Sequence, residues 1–296
     1  MTPRAPTASS LRWIGTFIGP LLLLIFLLPY LCGVSGAFSG EAALLSYPPQ
    51  LFLSRLLRAG HYPWFDPAVG AGAVDWSVRL SHAALYPPNW PFLLLGSGSA
   101  FADYPALYLF PLAAHLLLSC LFAFALARRG LRLDPAPALL LSLSWSLSPV
   151  FALQTGRLPA IFSLAWLPAA ALFLLLFSRE GGRGRLLAAA GAAALASPGG
   201  DLAAAAGVFL SIAVFGLALV LAFLRRADRL AARRALGGAF AALVLGGCLS
   251  GIRWAGLPES LRLVREAELA APPPPGFPLS PAARAGFLGP GGVGAA

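Results

Sequence analysis

The sequence predicts an all-α polytopic membrane protein, with about seven transmembrane helices and a long first extracytoplasmic loop bearing short interfacial helices. Three observations predict it. Of 296 residues only 11% are charged and 58% are hydrophobic, with a mean hydropathy of +0.79, whereas soluble domains carry roughly 25% charge. The apolar residues fall into runs near the ~20 residues that cross ~30 Å of hydrocarbon. The basic residues are all Arg, with no Lys, and most sit in short clusters between those runs, as in loops that hold membrane orientation. An ordinary soluble enzyme, a disordered tail and a disulfide-rich secreted module are excluded.

Residues 1–35 are read as a cytoplasmic end and the first span. Its apolar run, Leu11–Gly33, is longer than a signal-peptide core, and Pro29-Tyr30-Leu31-Cys32 is a poor lipoprotein site. Residues 36–103 break the apolar pattern with Pro, Gly, Trp, His and acids, too mixed for hydrocarbon and too long for a turn. Within that loop Pro49–Ala59 reads as an amphipathic helix. Leu51, Leu53, Leu56 and Leu57 lie on the membrane in this reading, while Arg55 and Arg58 face phosphates or water. Six further spans follow in the bundle 104–256, at about 104–127, 136–153, 159–178, 185–198, 203–224 and 236–254, the fifth being the shortest. Pro20, Pro111, Pro149 and Pro168 are kinks within or at the ends of spans. His115, mid-span, is expected to face the bundle interior.

The arginines orient these spans. Segments 1–12, 128–135, 179–185 and 225–235 carry 2, 3, 3 and 5 of them, while the short loops 154–158 and 197–202 share only Arg157. That asymmetry puts the N-terminus in the cytoplasm and the long first loop outside. It also accounts for the net charge of +10 without a nucleic-acid partner. Residues 257–296 form an outer Pro/Gly-rich tail with an amphipathic start and a stiff Pro272–Pro275 linker, and an eighth span would be needed to return the chain to the cytoplasm.

The chain has no GxSxG elbow, Walker loop, HExxH or CxxC. Cys32, Cys120 and Cys248 are expected as apolar packing residues, and His61, His82 and His115 are too scattered for a metal site. The chemistry is therefore sought in the first loop. Glu41 falls just after the first span, where a carboxylate can deprotonate an acceptor hydroxyl or hold a divalent cation beside a lipid phosphate. Asp66 is the second acidic candidate, with a turn-forming role as its alternative. Arg55, Arg58 and Arg79 suit bidentate phosphate contact, and His82 and Tyr86 complete the candidate substrate-binding set. Trp64, Tyr86 and Trp90 read chiefly as interface aromatics.

The loop also carries a resemblance. Gly40-Glu41, Leu56-Leu57-Arg58-Ala59-Gly60, Tyr62-Pro63-Trp64-Phe65-Asp66-Pro67, Gly70-Ala71-Gly72 and Leu85-Tyr86-Pro87-Pro88-Asn89 together resemble the first outer loop of the YfhO-like bacterial membrane proteins. Ala165-Trp166-Leu167-Pro168 and Leu257-Pro258-Glu259-Ser260-Leu261 are similar to that family's motifs further on, so the likeness spans roughly the whole chain. Family members are much longer, and only their N-terminal part is matched. The resemblance implies a GT-C-type glycosyltransferase in the bacterial inner membrane. Such an enzyme passes a sugar from a polyprenyl-phosphate donor to a cell-envelope acceptor, with Glu41 in the place of an acidic base or metal ligand. Glu41 stands where Asp is usual, one methylene longer, and Phe65-Asp66 stands where Trp-Asn is common. No cofactor is implied beyond a divalent cation. A non-catalytic scaffold or lipid-handling subunit is the alternative, and a small-molecule transporter is third, weakened by the lack of acids within the spans.

Overall fold

In the computed structural model, residues 18–19, 21–25, 28, 46–60, 83, 85–97, 103–199 and 201–251 are described, and all of their regular structure is helical. Proline sets most of the helix starts, since its missing N–H and fixed φ suit the first turn. This holds for α1 (Tyr47–Arg58), α2 (Trp90–Leu95) and α3 (Pro105–Gly130). It holds again for α4 (Pro135–Ser146), α5 (Pro149–Leu153), α6 (Leu158–Leu164) and α7 (Leu167–Glu180). Then α8 (Arg183–Ala196) follows two left-handed glycines, Gly181 (φ 70°) and Gly182 (φ 97°). Aspartates cap the last two: Asp201 accepts from Ala204 N at 2.7 Å to open α9 (Leu202–Arg225), and Asp228 from Ala231 N at 3.0 Å to open α10 (Arg229–Leu249).

Five of these helical stretches are long and apolar enough to cross a membrane: Pro105–Gly130, Pro135–Leu153, Leu158–Glu180, Leu202–Arg225 and Arg229–Leu249. They correspond to five of the seven expected spans. Two are interrupted by proline. Pro149 cannot donate to Trp145 O, which Ser148 N takes instead at 3.2 Å, and α4 gives way to α5 there. Pro168 likewise leaves Leu164 O without its usual donor, and the chain breaks at Ala165-Trp166. The expected span at 185–198 is the 14-residue α8, about 21 Å long at ~1.5 Å per residue, short of the hydrocarbon thickness. The last span begins at Arg229, earlier than the expected 236, because Arg229, Arg233 and Arg234 continue the helix that Asp228 caps. Of the first expected span, residues 18–19, 21–25 and 28 are helical; Gly19 lies against Leu139 and Cys120, and Leu23 is buried.

Packing divides into two cores. The first gathers Tyr47, Tyr86, Tyr108, Phe151 and Phe162 with Leu93, Leu107, Leu112, Leu158 and Ile161, joining α1, α2, α3 and α6. The second is mostly alanine from α7, α8 and α10, with Val208, Ile212, Leu219 and Phe223 of α9. Leu164 and Trp166 pack against both, so the proline break is also the seam between them. Glycine lets three helices close on the second core. An added Cβ at Gly216 would meet Ala239 Cβ at 2.5 Å, at Gly238 the Phe177 ring at 2.6 Å, and at Gly246 Ala193 Cβ at 2.9 Å. Outward, Leu210, Val214, Leu217 and Leu221 make an exposed apolar stripe on α9, as a lipid-facing helix requires.

The loops segregate by end. Arg179 donates to Gly130 O at 2.5 Å and Arg234 to Arg179 O at 3.4 Å, so the three arginine-rich connections lie together. At the opposite end, Ser46 Oγ donates to Gly156 O at 2.8 Å, bringing the 46–60 segment onto the α5–α6 turn. Three of the four arginine-rich segments read from the sequence therefore lie at one end of the bundle, away from the 46–60 segment.

Candidate functional site at the loop-bearing end

The end opposite the three arginine-rich connections is capped by α1 and α2, both from the long loop. The stripe that α1 buries is Tyr47, Gln50, Leu53 and Ser54, at i, i+3, i+6 and i+7. The leucine face expected to lie on a membrane is only partly right: Leu53 enters the core, while Leu51, Leu56 and Leu57 are half-buried at its flanks. Two of the four buried positions are polar because α1 docks by hydrogen bonds. Ser54 Oγ donates to Leu93 O at 2.5 Å, Asn89 Nδ2 to Gln50 Oε1 at 2.7 Å, and the Arg58 guanidinium to Gly96 O. Gly96 is tightly placed for this, since a Cβ there would lie 2.4 Å from Ser54 Oγ.

Beneath the cap lies a buried relay. Tyr86 is fully buried, and its hydroxyl sits 2.8 Å from His115 Nε2 and accepts from Trp166 Nε1 at 2.6 Å. His115 Nδ1 is 2.7 Å from Pro111 O, a group that only accepts. The proton is thereby assigned to Nδ1, Nε2 is the acceptor, and Tyr86 O–H donates to it. Every hydrogen-bonding atom of the triad is thus used with the rings neutral. Phe162 stacks on Tyr86 at a centroid distance of 5.0 Å and lies 4.3 Å from the His115 ring. The expected interior placement of His115 is what the fold shows, with its partner coming from the loop segment. Burial raises the Tyr86 phenol well above its ordinary value.

A second aromatic group seats the start of α3. Tyr104 stacks on Tyr108 at 5.2 Å and meets Tyr47 edge-on at 5.2 Å, while the Tyr108 hydroxyl donates to Thr155 O. Asp103 accepts from both Ser97 N and Ser97 Oγ at 2.6 Å. Burial and the neighbouring Tyr47 push the Tyr104 phenol up to about 12.

Of the candidate residues, Arg55 and Arg58 lie exposed on α1 and Tyr86 lies in the relay. Glu41, Asp66, Arg79 and His82 lie outside the described residues, as does Trp64. Trp90 is 40% exposed, as an interface aromatic requires. Among the described residues no three of His, Cys, Asp and Glu come close enough to hold a metal ion. The sequence reading missed the Gln50–Asn89 pair and the Trp166–Tyr86 bond. A signal for the second was present: Tyr86 and Trp166 belong to two separate stretches singled out for their resemblance, and the fold joins them across 80 positions. No protein-family model matches the chain, and no curated protein or solved structure shows significant similarity to it.

Proposed function

We propose that the chain is a GT-C-like transferase that moves a sugar from a polyprenyl-phosphate donor to a cell-envelope acceptor at the outer face of the bacterial membrane. The observation that carries this reading is the Trp166–Tyr86 hydrogen bond, 2.6 Å long and backed by His115. It ties Tyr86, from the same loop as the candidate acids, to the bundle, and in this reading the lipid-linked headgroup is presented at that end. Tyr86, fully buried, acts in this reading as a positioning residue, not as a sugar contact.

In the proposed step the Glu41 carboxylate takes the acceptor hydroxyl proton, and the oxygen attacks the anomeric carbon. The bond from that carbon to the phosphate oxygen breaks, and polyprenyl phosphate leaves with the electron pair. Arg55, exposed on α1, and Arg79 are suited to holding the leaving phosphate, and Asp66 is the second acid available to the reaction. A divalent cation would serve the same phosphate.

One observation favours the alternative, a lipid-handling scaffold without catalysis. Two acids described at this end have structural partners: Asp103 binds Ser97, and Asp201 caps α9. The enzyme therefore stands or falls with the acids of the 36–103 loop. The test is Glu41→Gln in membranes supplied with a radiolabelled polyprenyl-phosphate sugar. Transfer is expected to fall by about 10²–10⁴ at unchanged membrane levels, the usual worth of a general base. Unchanged transfer removes Glu41 from the mechanism. Donor lipid bound without turnover by the unsubstituted protein establishes the scaffold.

A further inference from the structure

The opposite end of the bundle presents a different chemistry. Segments 128–135, 179–185 and 225–235 contain eleven arginines against three acidic residues. One of those acids, Glu180, is already paired with Arg185 at 2.5 Å, and another, Asp228, caps α10. The arginines nonetheless converge. Arg179 reaches from α7 to Gly130 O, two residues before Arg132, Arg234 reaches from α10 to Arg179 O, and Arg132 and Arg226 stand within electrostatic reach of Arg179, as Glu180 does. The Arg234 guanidinium lies over Gly181, where an added Cβ would stand 3.4 Å from its Cζ. Arg132 holds a left-handed backbone, φ 59°, which L side chains rarely adopt. Like charges from three connections, one on a left-handed backbone, are drawn to one place where arginines outnumber acids eleven to three.

Beside the charges the surface turns apolar. Leu131 and Leu224 are 46% and 51% exposed, one residue from Arg132 and two from Arg226. Guanidinium above leucine, at the ends of membrane-length helices, is complementary to an anionic amphiphile: phosphate to the forks, acyl chain to the leucines. A soluble polyanion would leave the leucines uncovered.

We infer that this end of the bundle is a binding site for an anionic phospholipid, whose phosphate is held between Arg132 and Arg226 over a floor made by Arg179 and Arg234. The site lies across the membrane from the proposed transfer site and does not depend on that reading. Arg179 and Arg234 each spend one donor group on a carbonyl, which fixes their orientation.

The full chain in nanodiscs of phosphatidylcholine doped with phosphatidylglycerol tests this, with bound lipid counted by native mass spectrometry after detergent extraction. Arg132→Gln with Arg226→Gln is expected to lower phosphatidylglycerol retention about tenfold. Arg129→Gln with Arg183→Gln removes the same charge from exposed positions outside the group and is expected to leave retention within about twofold. Equal losses in both pairs overturn the site in favour of diffuse attraction. Arg132→Lys with Arg226→Lys keeps charge and fold but not the bidentate fork, and is expected to fall between the two; wild-type retention in the lysine pair overturns the proposed geometry. Displacement of the lipid by millimolar inorganic phosphate alone overturns the assignment to a lipid in favour of a soluble phosphate.

Discussion

The core around Tyr86 and the core around α10 are built by different means. The first uses large rings and directional bonds: Phe162 stacks on Tyr86, Trp166 donates to it, and Gln50 pairs with Asn89. The second uses alanine and glycine, with Gly216, Gly238 and Gly246 at its closest approaches. The difference follows from what each must hold. Spanning helices in lipid gain little from the hydrophobic effect and associate through close backbone approach. A polar loop segment seated on the end of a bundle must instead satisfy its own donors and acceptors there, and directional bonds leave it one orientation.

The comparison breaks most severely at Phe162. Its ring is fully buried between Tyr86 and His115, so Phe162→Ala is expected to cost about 3–5 kcal/mol. The damage should be local. In detergent, hydrogen exchange should quicken across residues 46–60 and 85–97 while α9 and α10 keep their protection. Uniform loss of protection would show that the two cores are one cooperative unit.

The second core answers to opposite substitutions of one residue type. Gly216→Ala places a methyl 2.5 Å from Ala239 Cβ and is expected to destabilise by about 1–3 kcal/mol, less what alanine returns in helix propensity. Gly237 has open space around it, so Gly237→Ala should stabilise by about 0.5–1 kcal/mol. Thermal midpoints that move in the same direction for both would mean that close approach does not hold α9 on α10.

Next in size is the relay. Tyr86→Phe leaves His115 Nε2 and Trp166 Nε1 without their partner in a buried setting, at about 1–2 kcal/mol. Trp166→Phe should cost less in hydrogen bonding, because Tyr86 still donates to His115. A double-mutant cycle between Tyr86 and Trp166 that gives no coupling would remove the bond as the clasp of the loop.

Much of the second core was legible in the sequence, and little of the first. Hydropathy located five spans to within a few residues at most boundaries, because burial in lipid is written into composition one residue at a time. At 185–198 the apolar run is the 14-residue α8, shorter than the other five, and the last span starts early at Arg229, since arginine supports a helix as well as it punctuates a loop. The helix at Pro49–Ala59 was also legible, found as Tyr47–Arg58. Its polar stripe was not, because the pairing of Gln50 with Asn89 spans 39 positions and no local period encodes it. Tyr86 stood out as a residue, but its joining to His115 and Trp166 is a tertiary fact. The candidate acids Glu41 and Asp66 rest on sequence position and resemblance.

The smallest expected effect separates the two cores by pH. The sequence has no tyrosine after Tyr108, and among the described residues every phenol lies in or against the first core. Tyr104 rises from an ordinary 10.0 to about 12 through burial and the nearby Tyr47. Tyr47 is raised by burial and by Asp103, and Tyr86 by burial. A phenol whose folded-state pKa lies above its unfolded value keeps its proton longer when folded. Its contribution to stability is therefore intact below pH 10 and declines as pH rises toward about 12. The expected outcome is a loosening of the 46–60 and 85–97 segments between those limits, seen as faster exchange there, with α9 and α10 unchanged. Phenolate absorbance should lag behind that of a denatured control over the same interval. Tyr104→Phe should narrow the difference, since it deletes one of the delayed titrations without emptying the stack on Tyr108. If the phenols titrate near 10 while the cap stays protected, the aromatic group around Tyr104 is open to water, and the hydrogen bonds of α1 alone hold the loop in place.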